Sequence, residues 1–452
     1  MRPARRFDLR LVAAGVFLAT ALGLAQPAGA DAPWSPPQTV GGTCCSQQQL
    51  LALPAGGIAF AGDTGLSFAA APGTKPVFTA PVGFTGEFSP DGVLGPLAVI
   101  VGGRTVEQMI PAGSSGIRTF GTIGTDETLT SAAGAPGTPL SASSLSLVQT
   151  FVVATTTNAA LVRMCTKSCQ GPAALAVIRY RAGRWSAPRA ITRPSTELAG
   201  GALTTLPGNT LAVAYERNRA IYVRRLFSDN QLSAAQRVGT GKQSHVSIAS
   251  AGGGRLDVAW SWQVIDEGNA ATGFTARVAC SSNVGHFTGR SRLLASIPVT
   301  GEGRYVGGPG LSLGQDAAGR LTLAWTAFAD ARFVVQASSL STSCGTAPQT
   351  LPLPGADAVL GGLALAPSGR STIVLEAGVY GSDPAGASTT ESAHGLLASE
   401  RPTHNGSFAT PLQVSAADDG EVDPVVAIDQ TTGRSVIAWR NVASSIQYST
   451  AP

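Results

Sequence analysis

Asp266 and Glu267 stand side by side six residues beyond Trp260, a carboxylate pair of the type that general acid/base cleavage of a glycosidic bond requires. Adjacent acidic residues on a loop also serve simply to face water, and the sequence supplies no partner that assigns either a catalytic role. Arg217, Arg219, Arg304, Arg332 and Arg440 offer planar guanidinium forks that grip a carboxylate through two bonds, and Tyr305 follows Arg304 directly. Surface ion pairing accounts for each arginine equally well. Asp418, Asp419, Glu421 and Asp423 form the densest acidic cluster. Oxygen-rich loops hold calcium, but this spacing is not that of a known calcium loop, and a solvated turn is the plainer reading. His245, His286, His394 and His404 are scattered, and no glycine-rich phosphate loop or nucleophile elbow occurs.

The elements that must position these groups are repeats. GRLDVAW (254–260) is matched by GRLTLAW (319–325) and GRSVIAW (433–439), with looser copies at 208–215 and 369–375. The leading glycine adopts the positive φ of a tight hairpin, and the short, mostly apolar run after it reads as a buried strand. A second motif occupies 183–191, 230–238, 285–293 and 406–414, with Trp185, Leu232, Phe287 and Phe408 third and Ile191, Val238, Leu293 and Val414 ninth. Pro188 and Pro411 fall inside it, so a nine-residue edge strand, the outermost of each sheet, is expected there. Trp260, Trp262, Trp325 and Trp439 read first as packing between units, with sugar stacking the lesser alternative.

Units of this length with about four strands each are blades of a single all-β propeller over residues 31–452. Glycine (55) and proline (29) are abundant and charged residues make up only 13%, in keeping with many short strands and turns. The last unit, from 422, has three strands, whereas 32–40 is a stray copy of the outer-strand motif. The ring therefore closes if the amino-terminal strand completes the last blade, giving eight blades, or seven if units two and three are one enlarged blade. Residues 111–143, rich in Gly, Ser, Thr, Ala and Pro, are expected to contain a long loop.

Arg2, Arg5, Arg6 and Arg10, the apolar run 11–24 and Ala28-Gly29-Ala30 form a secretory signal peptide over residues 1–30. Its removal takes four arginines and one aspartate, leaving 27 basic against 26 acidic side chains, so nucleic acid is not an expected partner. No later apolar run is long enough to span a membrane. Six cysteines in an exported chain point to disulfides. Cys165 and Cys169 can close a small loop, Cys280 and Cys344 end corresponding strands in successive units, and the adjacent Cys44 and Cys45 would need a strained bond if paired together. No histidine stands at metal-ligand spacing from these thiols.

The Gly-Arg hairpin, the strand ending Ala-Trp and the W-S-x-P outer strand resemble the sialidase-like, BNR-repeat propellers of exported bacterial proteins. Of that family's Asp-box, Asp316-Ala-Ala-Gly319 and Ser89-Pro-Asp91-Gly92 are fragments, and its Arg-Ile-Pro signature is absent, so no catalytic residue is assigned. Two functions follow as expectations: a secreted, monomeric binding module for a glycan, peptide or surface partner, or a glycan-active hydrolase or lyase. Strand order puts Arg217, Asp266, Glu267, Arg304, Tyr305 and Arg440 at the end away from the Gly-Arg hairpins, and any ligand is expected there.

Overall fold

Each hairpin glycine sits where its conformation demands. Gly208, Gly253, Gly319, Gly369 and Gly433 have φ of 70°, 75°, 73°, 91° and 71°, a region that strains any residue with a Cβ. The computed structural model describes residues 34–41, 49–52, 57–62 and 65–68, the strands between 99 and 165, and most of 171–451. Residues 266–270, 299–309, 379–394, 416–421 and 441–445, among others, lie outside the described residues.

The described strands form eight antiparallel sheets. In chain order they cover 49–68, 99–146, 150–190, 198–240, 245–298, 311–351, 357–413 and 422–450, and Gln38–Gly41 is the fourth strand of the last. Most run up and down in sequence order, so consecutive strands pair. The fold is all-β and β-propeller-like: the first strands of neighbouring sheets lie against one another, Leu198–Leu206 on His245–Ala251, then Leu311–Gln315, Asp357–Leu365 and Val422–Ile428 in turn. Val422–Ile428 also lies against Gln49–Ala52 of the first sheet. Close approach here depends on glycine. A Cβ on Gly200 would meet the Ser244 carbonyl oxygen at 2.3 Å, and one on Gly361 would meet Pro424 Cγ at 2.6 Å.

The core is a set of apolar layers between sheets. Trp260, Trp325 and Trp439, at most 1% exposed, fill the layers between sheets four and five, five and six, and seven and eight. Trp260 leaves no room for a side chain at position 239, where an added Cβ would meet Cζ2 at 2.3 Å. Trp34 is buried in the same layer as Trp439.

Two expectations need correction. Residues 111–143 are not a long loop: Arg104–Ala112, Gly116–Ile123, Asp126–Gly134 and Ser141–Ser146 are four strands of the second sheet. Small and hydroxylic residues suggest loops only on average, and threonine's branched Cβ suits a strand. The outer motif is not one nine-residue strand either. It pairs in separate pieces: Arg184–Trp185 and Arg189–Ala190 each pair with Ala173–Arg181, Leu232 and Phe287 make isolated bridges, and Gln236–Thr240 and Leu412–Gln413 pair at the later end. Pro188 and Pro411 fall outside the strands, because proline gives no N–H to a ladder. The motif's serine makes a two-bond clasp instead. Ser186 N donates to Arg179 O at 2.8 Å while Arg179 N donates to Ser186 Oγ at 3.0 Å, and Ser233 and Arg225 repeat this at 2.9 and 2.9 Å.

Candidate functional site

Every described sheet from the third onward has a hairpin end, where strand one turns into strand two, and an opposite end where strand two finishes. The hairpin ends of neighbours coincide. Gly252 N donates to Gly319 O at 3.3 Å, Ala317 N to Pro367 O at 3.2 Å, and Gly57 N to Asp429 Oδ2 at 2.5 Å. This end is closed by its own bonds. Asp316 Oδ1 accepts from Ala318 N and Arg320 N, both at 2.9 Å, and its Oδ2 from Arg320 Nε at 2.7 Å. Asp429 Oδ1 likewise accepts from Thr431 N and Thr432 N, both at 2.9 Å. The Asp316-Ala-Ala-Gly319 fragment thus ties a turn. Arg401 donates to Ser339, Thr322 and Ser371, and its guanidinium lies 4.8 Å from the Phe408 ring centroid. Burial is the main influence holding its pKa down at about 10, with Asp316 opposing and Arg320 adding to the effect.

The opposite end carries the expected site residues that are described. Arg217 is the last residue of Thr210–Arg217 and Arg440 the last of Ser435–Arg440, so both occupy the same place in their sheets, and both are half-buried. Arg332 is exposed at the start of Arg332–Ser339. Asp266, Glu267, Arg304 and Tyr305 lie outside the described residues, as do Asp418, Asp419, Glu421, Cys44, Cys45 and Cys169. Asp423 and Cys165 fall within strands. Among the described residues no cluster of His, Cys, Asp and Glu could hold a metal. Cys280 and Cys344 are joined by a disulfide between sheets five and six, with Cα atoms 5.5 Å apart.

No family model matches the chain, and no curated protein matches it. Solved structures similar to it include a prolyl endopeptidase, at TM-score 0.45 and 10% identity over 88% of this chain and 55% of that one. A polysaccharide lyase is similar at TM-score 0.40 and 8% identity, over 90% and 99% of the two chains. A thermostable family-43 glycoside hydrolase gives TM-score 0.27 and 9% identity, over 56% and 88%. The chain spans about half the length of the prolyl endopeptidase it matches.

The buried carboxylates among the described residues all have structural partners. Glu216 Oε2 accepts from Ser244 N at 2.6 Å, tying sheet four to the start of sheet five, and Asp357 Oδ1 accepts from Phe333 N at 2.9 Å. Asp257, with no exposed surface, is gripped by Arg255 through two bonds, one of 2.9 Å from Nε. Burial pushes its pKa up, and Arg255 pulls against that. Asp316 and Asp429 are spent in turns. Arginines differ. Arg163, which sequence reasoning did not single out, is half-buried in Ala159–Cys165, and its Nε and that of Arg217 are buried without a hydrogen-bond partner. The alternation Ala159-Leu161-Arg163, apolar then basic on one face of a strand, is the signal that could have found it.

Proposed function

We propose that the chain is an exported, eight-bladed β-propeller that closes its ring with residues 34–41 and binds a glycan, peptide or surface partner at the end away from the hairpins. Eight sheets, with the first sheet's Gln49–Ala52 against the eighth's Val422–Ile428, support the blade number. The pairing of Gln38–Gly41 with Ile446–Thr450 supports the closure. Export is supported by the Cys280–Cys344 disulfide, which suits an oxidising compartment. Among the described residues no helix is long and apolar enough to cross a membrane.

One observation carries the choice of end. Asp316 and Asp429 at the hairpin end spend their carboxylates on internal hydrogen bonds and Arg401 spends its terminal guanidinium nitrogens, whereas at the other end the Arg217 side chain has no hydrogen bond to a described residue and a buried Nε. A guanidinium left without an acceptor in a partly buried place is a ready partner for an anionic or hydroxylated ligand. The sequence adds Arg304, Tyr305 and Arg440 to the same end, together with the Asp266-Glu267 pair on which a glycan-active enzyme reading would rest.

The deciding experiment is a glycan array with the chain from residue 31, run beside mass spectrometry of each bound glycan after incubation. Binding without cleavage, lost in Arg304→Ala/Arg440→Ala, is the expected result. Released fragments would establish the enzyme instead. Binding that survives the double variant but fails when the 319–320 or 433–434 hairpin is altered would put the site at the wrong end.

A further inference from the structure

Five arginines face the layer between the third and fourth sheets, and three of them donate to main-chain carbonyls. Arg179 donates to Asn209 O at 2.6 Å, Leu226 O at 2.8 Å and Phe227 O at 3.0 Å, which fixes the hairpin ends of the two sheets side by side. Arg181 donates to Ser228 O at 3.2 Å, and Arg224 to Ile191 O at 2.6 Å and Ser233 O at 3.0 Å. The other two, Arg163 and Arg217, stand at the far end of the same layer.

Strand geometry puts them there. Ala159, Leu161 and Arg163 alternate along one face of strand two in sheet three, opposite Arg179, Val177 and Leu175, with no break in register. Leu211, Val213, Tyr215 and Arg217 do the same in sheet four, opposite Leu226, Arg224, Tyr222 and Ala220, again without a break. Ala159, Leu161, Leu175, Val177, Leu211, Val213, Tyr215 and Leu226 all belong to one apolar core, so both rows face it and both end in a guanidinium. The strand Ala159–Cys165 also lies against Leu198–Leu206, whose first residue pairs with Arg217.

Neither cation has an acceptor among the described residues. Glu216 alternates to the opposite face and is bound to Ser244 N, and Glu197 is exposed, beside Leu198 in sequence. Stacked Tyr215 and Tyr222, with ring centroids 5.7 Å apart, wall the layer just below. Burial pushes the Tyr215 hydroxyl's pKa up, with Arg224 and Arg217 opposing, so it stays a proton donor at neutral pH. Two half-buried forks at the mouth of an apolar layer, backed by a phenol, match the needs of a small oxyanion.

We propose that this mouth is a binding site for an oxyanion, a carboxylate or sulfate group, gripped by Arg163 and Arg217. It deepens the ligand-end reading above and rests on it only for location. An acidic sugar and a free inorganic ion share this chemistry, and the test separates them.

The chain from residue 31 is titrated at constant ionic strength with sodium sulfate, with glucuronate and with neutral glucose, read by calorimetry and by melting temperature. Saturable binding of an anion but not of glucose is expected. Arg163→Gln and Arg217→Gln should each weaken it at least tenfold, Arg217→Lys less, and the exposed Arg237→Gln not at all. Without ligand, the Gln variants should melt no lower than the parent, because neither side chain has a hydrogen bond to a described residue to lose. A purely structural role would lower that melting temperature instead. Sulfate binding alone would identify an inorganic ion, and tighter glucuronate binding a sugar acid. Absence of saturable anion binding, or binding unchanged in Arg163→Gln/Arg217→Gln, overturns the site. Anion binding that depends on both arginines, with no glycan retained on the array, would keep the site and sink the module reading. Array binding that depends only on Arg304 and Arg440 would do the reverse.

Discussion

Ser35 and Thr450 exchange two hydrogen bonds across 415 residues of sequence: Ser35 N donates to Thr450 O at 3.0 Å, and Thr450 N donates to Ser35 Oγ at 3.1 Å. Ser186 with Arg179 and Ser233 with Arg225 make the same clasp inside single sheets. The amino-terminal segment therefore takes the place of an outer segment in the last sheet. Trp34→Ala should lower unfolding free energy by about 3–5 kcal/mol, the usual effect of emptying a buried aromatic site. Ser35→Ala should lower it by about 1–3 kcal/mol, since Thr450 N is left without its acceptor. Denaturant unfolding checks both, and an unchanged midpoint in Trp34→Ala would rule out a closing role.

The Cys280–Cys344 disulfide spans 64 residues and links sheet five to sheet six. Loop-closure entropy for that span gives a stabilisation of about 4 kcal/mol. Cys280→Ser/Cys344→Ser should lose most of it, and peptide mapping of the parent chain under non-reducing conditions should recover the two cysteines in one linked pair.

Arg255 and Asp257 are 4% and 0% exposed and hold each other through two bonds. Asp257→Ala leaves a buried guanidinium alone, and destabilisation by about 3–5 kcal/mol is expected. Arg255→Met/Asp257→Leu removes both charges and should recover much of that loss. A double variant as unstable as the single one would show that packing, not the uncompensated charge, dominates.

His404 is buried, with Nδ1 3.9 Å from Asp316 Oδ2. Burial first, then Arg401 and Arg320, hold its pKa below the usual value, while Asp316 pulls the other way. The unfolded imidazole titrates near about 6.5, so the unfolded chain takes up the proton first as the solution is acidified. Stability from this group is complete above that pH and declines below it. Melting temperature should fall more between pH 7.5 and pH 5 in the parent than in His404→Gln. Parallel curves would remove the imidazole from the account.

The sequence by itself determined the local geometry and its repetition. A glycine before each Ala-Trp strand needs a positive φ, a mostly apolar strand needs two covered faces, and these requirements hold residue by residue. The fourth strand of the last sheet was also legible, because a three-strand unit at the end and a stray outer-strand segment at the start complement each other. Composition misled at 111–143, where strand pairing outweighs the average habit of small hydroxylic residues. Tertiary structure alone decided which charges are spent. Arg179 and Arg163 lie on one face of the same sheet and each has a buried Nε without a partner, yet the terminal nitrogens of the first meet three carbonyls of the next sheet while the second meets no acceptor among the described residues. Whether a guanidinium finds an acceptor depends on the main chain of a neighbouring unit some 50 residues away, and a strand's own pattern carries no record of that.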